Sequence, residues 1–294
     1  MDEEEFQQHC LQVQTLELFI HSLPEPELLA DYPRLRELAL HMVQLPQVVG
    51  VRGMTQLQRL AVTECGLESM SGIENCTSLT SLDLSQNRLD EMDCAVLANL
   101  TQLQSLWLNQ NRITAIQGLE PLSRLSRLWL ARNEITSICD SLDSNLALTE
   151  LNLAGTQISN FKDVPNLARL RRLGSLCMSD PHFGESPVCA LCNYQTYMLY
   201  HLQQLSMLDS YAIADEARHL AEATYMKKKM YYNMRIKTLK RNTSNVIKKA
   251  MEARQARAAS PPSRDDETTL SSRDGRDLVC DLMPRGRGCV ALTG

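Results

Sequence analysis

The chain has 294 residues, of which 44% are hydrophobic, and a formal net charge of −5, values typical of a globular protein with one or two domains. It contains no run of about 18 apolar residues that would indicate a transmembrane helix. Its acidic first residues lack the basic and apolar segments of a secretory signal. We therefore expect a cytoplasmic protein, with a cytoskeletal or ciliary site as an alternative. Its ten cysteines are then expected to be mostly reduced.

Charge is distributed unevenly along the sequence. Residues 1–211 contain 13 Lys and Arg against 25 Asp and Glu, whereas residues 212–294 contain 17 against 10. Within residues 226–257 the count is 11 against 1. This asymmetry predicts an acidic body that is followed by a basic arm.

A repeat begins after a short lead-in of residues 1–12 and is expected to occupy residues 13–185. Its pattern is Leu-x-x-Leu-x-Leu-x-x-Asn-x-Ile, and successive copies are 22 to 25 residues apart. The copies start at Val13, Leu35, Leu57, Leu79, Leu103, Leu125, Leu148 and Leu173. Each copy predicts a short strand with alternate side chains pointing inward. One copy cannot bury its apolar residues alone, so the pattern predicts a stack with a continuous core.

Two further features of the repeat, its asparagine position and its later apolar spacing, predict local structure. Asn87, Asn111 and Asn133 stand where the chain turns inward after three consecutive strands, and their side chains are expected to satisfy backbone groups there. After each strand, apolar residues recur every three positions, as at Leu119, Leu122 and Leu125. This spacing predicts 3₁₀ or single helical turns against the core.

This pattern resembles the SDS22-like class of leucine-rich repeats over residues 13–211. The resemblance implies an α/β repeat fold: a right-handed leucine-rich-repeat solenoid of about eight repeats, with a parallel concave sheet and 3₁₀ or short helices on the convex side. It also implies that residues 186–211, with Tyr194 and the closing pair Leu208 and Asp209, form a C-terminal cap. Residues 186–193 and 226–239 are similar to the N-terminal part of the family of leucine-rich repeat-containing protein 9.

A basic helix is predicted over residues 212–258, because apolar residues recur there at spacings of three and four. The polar run 242–245 is expected to weaken it, and residues 259–294 are predicted to be disordered. The candidate contact residues of this basic arm are Lys227, Lys228, Lys229, Arg235, Lys237, Lys240 and Arg241. Their positive charge favours binding to nucleic acid, to acidic protein tails such as those of tubulin, or to a membrane surface. The alternatives are a solvated helix face or an arm that lies against the acidic body.

Trp107 and Trp129 occupy the same slot in consecutive repeats. Because adjacent strands are about 4.8 Å apart, the two indoles are expected to be neighbours in the open on the concave sheet. Exposed aromatic residues beside arginine are typical of binding hot spots. The candidate partner-binding residues are Trp107, Trp129, Asp83, Gln104, Arg127, Asn152 and Glu150. The alternative is that the indoles cover only each other and the sheet, or are covered by the chain's own tail.

No catalytic, cofactor or metal site is predicted. The sequence has no glycine-rich phosphate loop and no nucleophile elbow. The pair Cys189 and Cys192 lacks the second pair that a tetrahedral zinc site commonly uses, so both residues are expected to be buried thiols of the cap.

The function predicted from these features is a non-enzymatic scaffold that binds another protein on its concave face around the two tryptophans. The resemblance adds phosphatase regulation of the SDS22 type as an alternative. A cytoskeletal, ciliary or ribonucleoprotein-associated adaptor that uses the basic helix is another, because one related class, the U2 small nuclear ribonucleoprotein A-prime protein, uses a capped repeat domain to hold an RNA-binding partner.

Overall fold

The computed structural model describes residues 10–19, 29, 31–48 and 50–259, with side chains as far as residue 256. Most of the expected lead-in and nearly all of the expected disordered tail lie outside the described residues. The chain divides into two units, one that ends at Tyr232 and one that begins at Asn233.

The first unit is built on a parallel sheet in which the strands follow one another in chain order. Its parallel strands are β1 (Thr15–Phe19), β2 (Glu37–His41), β3 (Arg59–Thr63), β4 (Ser81–Asp83), β5 (Ser105–Trp107), β6 (Arg127–Trp129), β7 (Glu150–Asn152) and β8 (Ser175–Cys177). Each strand from β1 to β7 pairs with the next one along the chain. The eight strands and the segments between them form a parallel β-solenoid of about seven turns, which confirms the expected repeat architecture.

The register of the sheet places the central leucines of the repeats side by side. These residues are Leu16, Leu38, Leu60, Leu82, Leu106, Leu128, Leu151 and Leu176. From Leu38 onward each is at most 2% exposed. Since side chains alternate across a strand, the residues on either side of each leucine point away from the core.

Tight turns connect the strands on the side opposite the sheet. In the segment after β5, the amide of Leu122 donates to the carbonyl of Leu119, and the amide of Leu125 donates to that of Leu122. The same pair of i to i−3 bonds recurs after β2, β3, β4, β6 and β7. These are the 3₁₀-type turns predicted from the spacing of three. Regular helices in this part are short: α1 (Cys94–Leu97), which Asp93 caps, and a 3₁₀ helix at Val164–Arg169.

The asparagine position forms a buried hydrogen-bond ladder. The side-chain oxygen of Asn111 accepts from the amide of Leu89 at 3.1 Å, and its amide group donates to the carbonyls of Leu84 and Leu108 at 3.0 Å. Asn87 and Asn133 make equivalent bonds in the neighbouring repeats. The predicted role of these three residues is confirmed.

A different set of elements follows β8. The antiparallel pair β9 (Ser179–Asp180) and β10 (Gly184–Glu185) comes first, then a 3₁₀ helix at Pro187–Ala190 and helix α2 (Tyr194–His201). Strand β11 (Met207–Leu208) continues the parallel sheet beside β8, and β12 (Tyr211–Ala212) pairs with β11 in the antiparallel direction.

Helix α3 (Asp215–Ala259) is the longest element of the described chain. Its first turn carries Asp215 and Glu216, which favours a helix N-terminus through the helix dipole. The polar run 242–245, which was expected to weaken the helix, does not interrupt it, and the helix is continuous there. Within this run the hydroxyl of Thr243 donates to the carbonyl of Leu239 at 3.0 Å, so its polar group is satisfied inside the helix.

Candidate binding surface

One row of side chains crosses the outward face of the parallel sheet, and we call it the sheet-face row. Register pairing aligns its members in the order Glu17, Ala39, Ala61, Asp83, Trp107, Trp129, Asn152 and Cys177. Trp107 and Trp129 are direct register partners, as the repeat spacing predicts. Both side chains are half-buried, so they lie neither fully in the open nor beneath the leucine layer.

Two neighbouring charged side chains explain the position of the indoles. The guanidinium carbon of Arg127 is 5.6 Å from the ring centre of Trp107, within range of a cation–π interaction. The Nε of Arg127 also donates to the hydroxyl of Ser105 at 2.9 Å. The indole Nε1 of Trp129 donates to Oε1 of Glu150 at 2.9 Å. Both tryptophans are therefore held in defined orientations before any partner binds.

An open groove lies on the N-terminal side of the tryptophan pair. It has a volume of about 360 Å³ and is lined by residues of β1 to β4 and by Trp107. The small side chains of Ala39 and Ala61 form part of its lining, and this leaves room above the sheet. Trp107 borders the groove at the β5 side.

Carboxylates outnumber cations in this groove. Its acidic residues are Glu17, Glu37 and Asp83, and Arg59 is its cation. Arg59 forms an ion pair with Glu37, so its charge is already matched. Oδ1 of Asp83 accepts from the amide of Ser85 at 3.0 Å. The groove therefore presents a net negative surface next to an aromatic wall.

The C-terminal side of the sheet face is covered by the chain itself. Phe183, in the connection between β9 and β10, packs against Ala131, Ala154 and Cys177. Its backbone carbonyl accepts from Nε of Arg132 at 3.0 Å. Sequence reasoning missed this cover. The signal that could have revealed it is the change from large or polar side chains to alanine at positions 131 and 154.

The structure brings most of the predicted partner-binding residues to the surface. Gln104 and Arg127 are exposed, and Asp83 and Glu150 are half-buried beside the tryptophans. Asn152 is different: it is 4% exposed, and its side-chain oxygen accepts from the amide of Ala154 at 3.0 Å. Its side chain stabilises the turn after β7 and leaves little surface area for contact with a partner.

The two cysteines of the Cys189-x-x-Cys192 pair lie in different surroundings. Cys189 is half-buried, and burial, with the charge of Asp209 as a smaller cause, raises the pKa of its thiol to about 11. Cys192 is exposed, so the expectation of two buried thiols is wrong for this residue. In the part of the chain that the structure describes, no group of three or more His, Cys, Asp or Glu residues could hold a metal ion. The eight cysteines within that part are free thiols.

An aromatic cluster joins the start of α3 to α2, and the sequence analysis did not predict it. The rings of Tyr200 and Tyr225 stack with their centres 3.8 Å apart, and Phe161 and Tyr197 stack at 4.3 Å. Burial, followed by the charge of Lys229, lowers the pKa of the nearby His201. Through these contacts the first turns of α3 pack against α2, which in turn packs against Phe161, within the first unit.

The basic-arm residues are all exposed. This set comprises Lys227, Lys228, Lys229, Arg235, Lys237, Lys240 and Arg241. Lys228 donates to the side-chain oxygen of Asn193. Among the helices that the structure describes, none combines the length and apolar character required to cross a bilayer.

Comparison with known proteins identifies the repeat. The model of a family described as Leucine-rich repeat matches residues 82–238, more than half of the chain. An internalin, InlF, of Listeria monocytogenes has a solved structure that is 23% identical in sequence, with a TM-score of 0.57 over 74% of this chain and 60% of that one. A leucine-rich repeat protein of Leptospira interrogans is 16% identical, with a TM-score of 0.56 over 75% of this chain and 61% of the other. The chain thus spans about 60% of the length of these two proteins, and the likeness concerns the fold alone.

Proposed function

Because the chain belongs to the leucine-rich repeat family, whose stacked repeats create extended binding surfaces, we propose that it is a non-enzymatic scaffold that binds another protein on its concave sheet face around Trp107 and Trp129. The observation that carries this proposal is the pair of adjacent indoles, held by Arg127 and Glu150 at the edge of an open groove. Tryptophan and arginine are enriched among residues that dominate interface energies.

The open part of the sheet face determines where a partner would lie. Phe183 covers the sheet beyond the tryptophans, whereas no residue that the structure describes fills the groove over β1 to β4 on the other side. We therefore assign the two indoles the role of anchors, and Asp83, Gln104, Arg127 and Glu150 the role of orienting polar contacts. Asn152, proposed from the sequence as a further contact, would act by holding the turn after β7.

The finer resemblances support more specific versions of this proposal. Similarity to the SDS22-like class favours a phosphatase as the bound protein, and similarity to leucine-rich repeat-containing protein 9 favours a piece or relative of a longer scaffold. The first version requires an aromatic and acidic surface across most repeats. In this chain the aromatic residues of the sheet-face row are confined to β5 and β6.

Replacement of both anchors tests the proposal. The double variant Trp107→Ala/Trp129→Ala should abolish capture of a partner in a pull-down read by mass spectrometry. Its thermal stability should change little, because neither indole lies in the leucine core. Leu128→Ala, in contrast, should lower the free energy of unfolding by about 2–5 kcal/mol through a core cavity.

Leu146→Ala provides the control for this pull-down, because Leu146 is 60% exposed in a return segment away from the sheet face. This variant should retain every protein that the wild type captures specifically. Equal loss of capture in both variants would contradict the assignment, as would a double variant that still captures the same protein.

A second candidate function uses the exposed cations of α3. Seven exposed Lys and Arg side chains between residues 227 and 241 suit a ribonucleoprotein-associated or cytoskeletal adaptor that contacts RNA or acidic protein tails. Binding through these cations should weaken steeply as salt concentration rises. Binding centred on the tryptophans should depend much less on salt, so a salt titration of any captured complex separates the two functions.

A further inference from the structure

The part of α3 in the second unit carries a stripe of apolar residues along one side, interrupted by one threonine. Its members are Ile236, Leu239, Thr243, Val246, Ala250 and Ala253, at successive spacings of 3, 4, 3, 4 and 3 residues. This is the spacing by which a helix packs along a partner helix. Ile236, Leu239 and Val246 are 50%, 57% and 67% exposed. Within residues 10–19, 29, 31–48 and 50–259, nothing covers these large apolar side chains, which recur at regular intervals.

The residues that flank the stripe have one sign of charge. Between residues 235 and 249 there are six cations and no acidic residue. These cations are Arg235, Lys237, Lys240, Arg241, Lys248 and Lys249. At 100° per residue, Arg235 and Lys240 border the stripe on its two sides. A partner helix on the stripe would lie directly between positive charges.

We propose that this stripe binds an acidic amphipathic helix of another protein. Apolar residues of that helix would cover Ile236, Leu239 and Val246, and glutamates at its flanking positions would meet Arg235 and Lys240. A second copy of this chain fits poorly, because like charges would face each other along the whole contact. This interaction uses residues remote in sequence from Trp107 and Trp129 and does not depend on the proposed sheet-face binding.

The stripe is less suited to a lipid surface than to a helix. Membrane-surface helices commonly present Trp, Phe and Leu on their apolar side. Here Thr243 and Ala250 occupy the middle of the stripe, and it has no Trp or Phe. Small side chains at these positions allow the close approach of a second helix.

The test measures binding of the full chain to a synthetic helical peptide. The fluorescent probe has about four heptads, with Ile and Leu at the two core positions and Glu at the flanking positions. Leu239→Glu/Val246→Glu should raise the Kd for this peptide at least about tenfold, because both substitutions place charge in the contact. The matched control is Thr238→Glu/Asn245→Glu, which has the same change in charge and the same spacing of seven on the opposite side of the helix. It should change the Kd by less than about threefold.

The controls distinguish helix pairing from simple charge attraction. A peptide of the same composition but without the heptad order should bind at least about tenfold more weakly than the probe. Equal effects of the two double variants, or equal binding of both peptides, would overturn the proposal. Circular dichroism should show equal helix content in both variants, which excludes unfolding as the cause.

Two further measurements test whether a second copy of this chain or a membrane occupies the stripe instead. Sedimentation velocity of the wild type should show no dimer that depends on Leu239 and Val246, and such a dimer would overturn the proposal in favour of a second copy. Vesicles that contain phosphatidylserine should bind both double variants equally. Selective loss of vesicle binding by Leu239→Glu/Val246→Glu, without binding of the peptide to the wild type, would identify a membrane as the occupant instead.

Discussion

Single polar side chains hold the repeats of this protein together at buried positions. Asn111 is 7% exposed, and it satisfies the amide of Leu89 and the carbonyls of Leu84 and Leu108. Alanine at this position would leave the amide of Leu89 without its partner, whereas the carbonyls of Leu84 and Leu108 would each keep a second donor, Asn87 and Asn133. An unsatisfied amide that water cannot reach costs about 1–3 kcal/mol. We expect Asn111→Ala to lower the free energy of unfolding by about 1–3 kcal/mol, as measured by urea denaturation.

Asn99→Ala is the matched control for this substitution. Asn99 is exposed, and its amide group donates to the carbonyl of Ala95 within a turn. Water can replace that bond, so this variant should differ from the wild type by less than about 1 kcal/mol. Similar losses in the two variants would contradict a special role for the buried ladder.

The backbone at Gly155 lies against the segment around Phe183 that covers the C-terminal side of the sheet face. A methyl group added there would lie 2.3 Å from the carbonyl oxygen of Phe183. Positive φ alone does not require glycine, because non-glycine residues with φ between 54° and 59° occupy the equivalent position in five earlier repeats. Those residues are Met42, Glu64, Gln86, Gln110 and Arg132. The collision with the Phe183 carbonyl is thus the specific constraint.

Gly155→Ala should therefore displace the segment around Phe183. We expect a loss of about 1–3 kcal/mol in the free energy of unfolding and faster alkylation of Cys177, which is 8% exposed beneath Phe183. Gly66→Ala is the control, because Gly66 also has positive φ but no atom within 4 Å of an added Cβ. An unchanged alkylation rate of Cys177 in Gly155→Ala would contradict the proposed contact.

At the scale of elements, Asp209 ties the turn after β11 to the end of β8 and to α2. Its Oδ1 accepts from the amides of Met178 and Ser179, and the hydroxyl of Tyr194 donates to Oδ2 at 2.9 Å. Burial raises the pKa of this carboxyl above its ordinary value of 3.8, although the hydrogen bonds oppose the shift. The folded chain consequently keeps a proton here that the unfolded chain has already released.

This linkage predicts a pH dependence of stability. The contribution of Asp209 to the free energy of unfolding should fall as pH rises from 3.8 through the higher pKa of the folded state. Asp209→Asn cannot titrate, so its stability relative to the wild type should increase across the same interval. Urea denaturation of both proteins at a series of acidic pH values measures this difference. Parallel pH profiles would contradict a raised pKa at Asp209.

The repeat elements could be predicted from the sequence because one residue type recurs at each structural position. The leucine spacing predicts the register of β1 to β8, and the Asn87, Asn111 and Asn133 positions predict the hydrogen-bond ladder. The cover by Phe183 and the stacking of Tyr200 on Tyr225 depend on contacts between distant segments that share no repeat. Periodicity carries no information about such contacts.

Part of the candidate binding surface could also be predicted from repeat position. The shared slot of Trp107 and Trp129 places the indoles side by side without any coordinates. Their half-buried state depends on the side-chain conformations of Arg127 and Glu150, and the low exposure of Asn152 goes with its hydrogen bond to the amide of Ala154. Side-chain packing of this kind does not follow from repeat position. The exposure predicted for Trp107, Trp129 and Asn152 is therefore higher than their exposure in the structure.

The two proposed binding surfaces of the protein differ in their chemistry. The sheet face of the first unit combines two indoles with the carboxylates Glu17, Glu37 and Asp83. The helix of the second unit combines an apolar stripe with cations. Because salt screens the second surface far more than the first, their complexes should respond differently to ionic strength.

Trp107 and Trp129, on which the proposed function depends, are the only tryptophans of the chain. Incorporation of 5-fluorotryptophan therefore places a fluorine label on the sheet face alone, and Trp107→Phe and Trp129→Phe assign the two resonances. In the complex with a partner recovered by the wild type and not by the double alanine variant, we expect both fluorine resonances to shift and to lose contact with solvent. Resonances that keep their free-chain positions and solvent exposure in the saturated complex would contradict binding at this face.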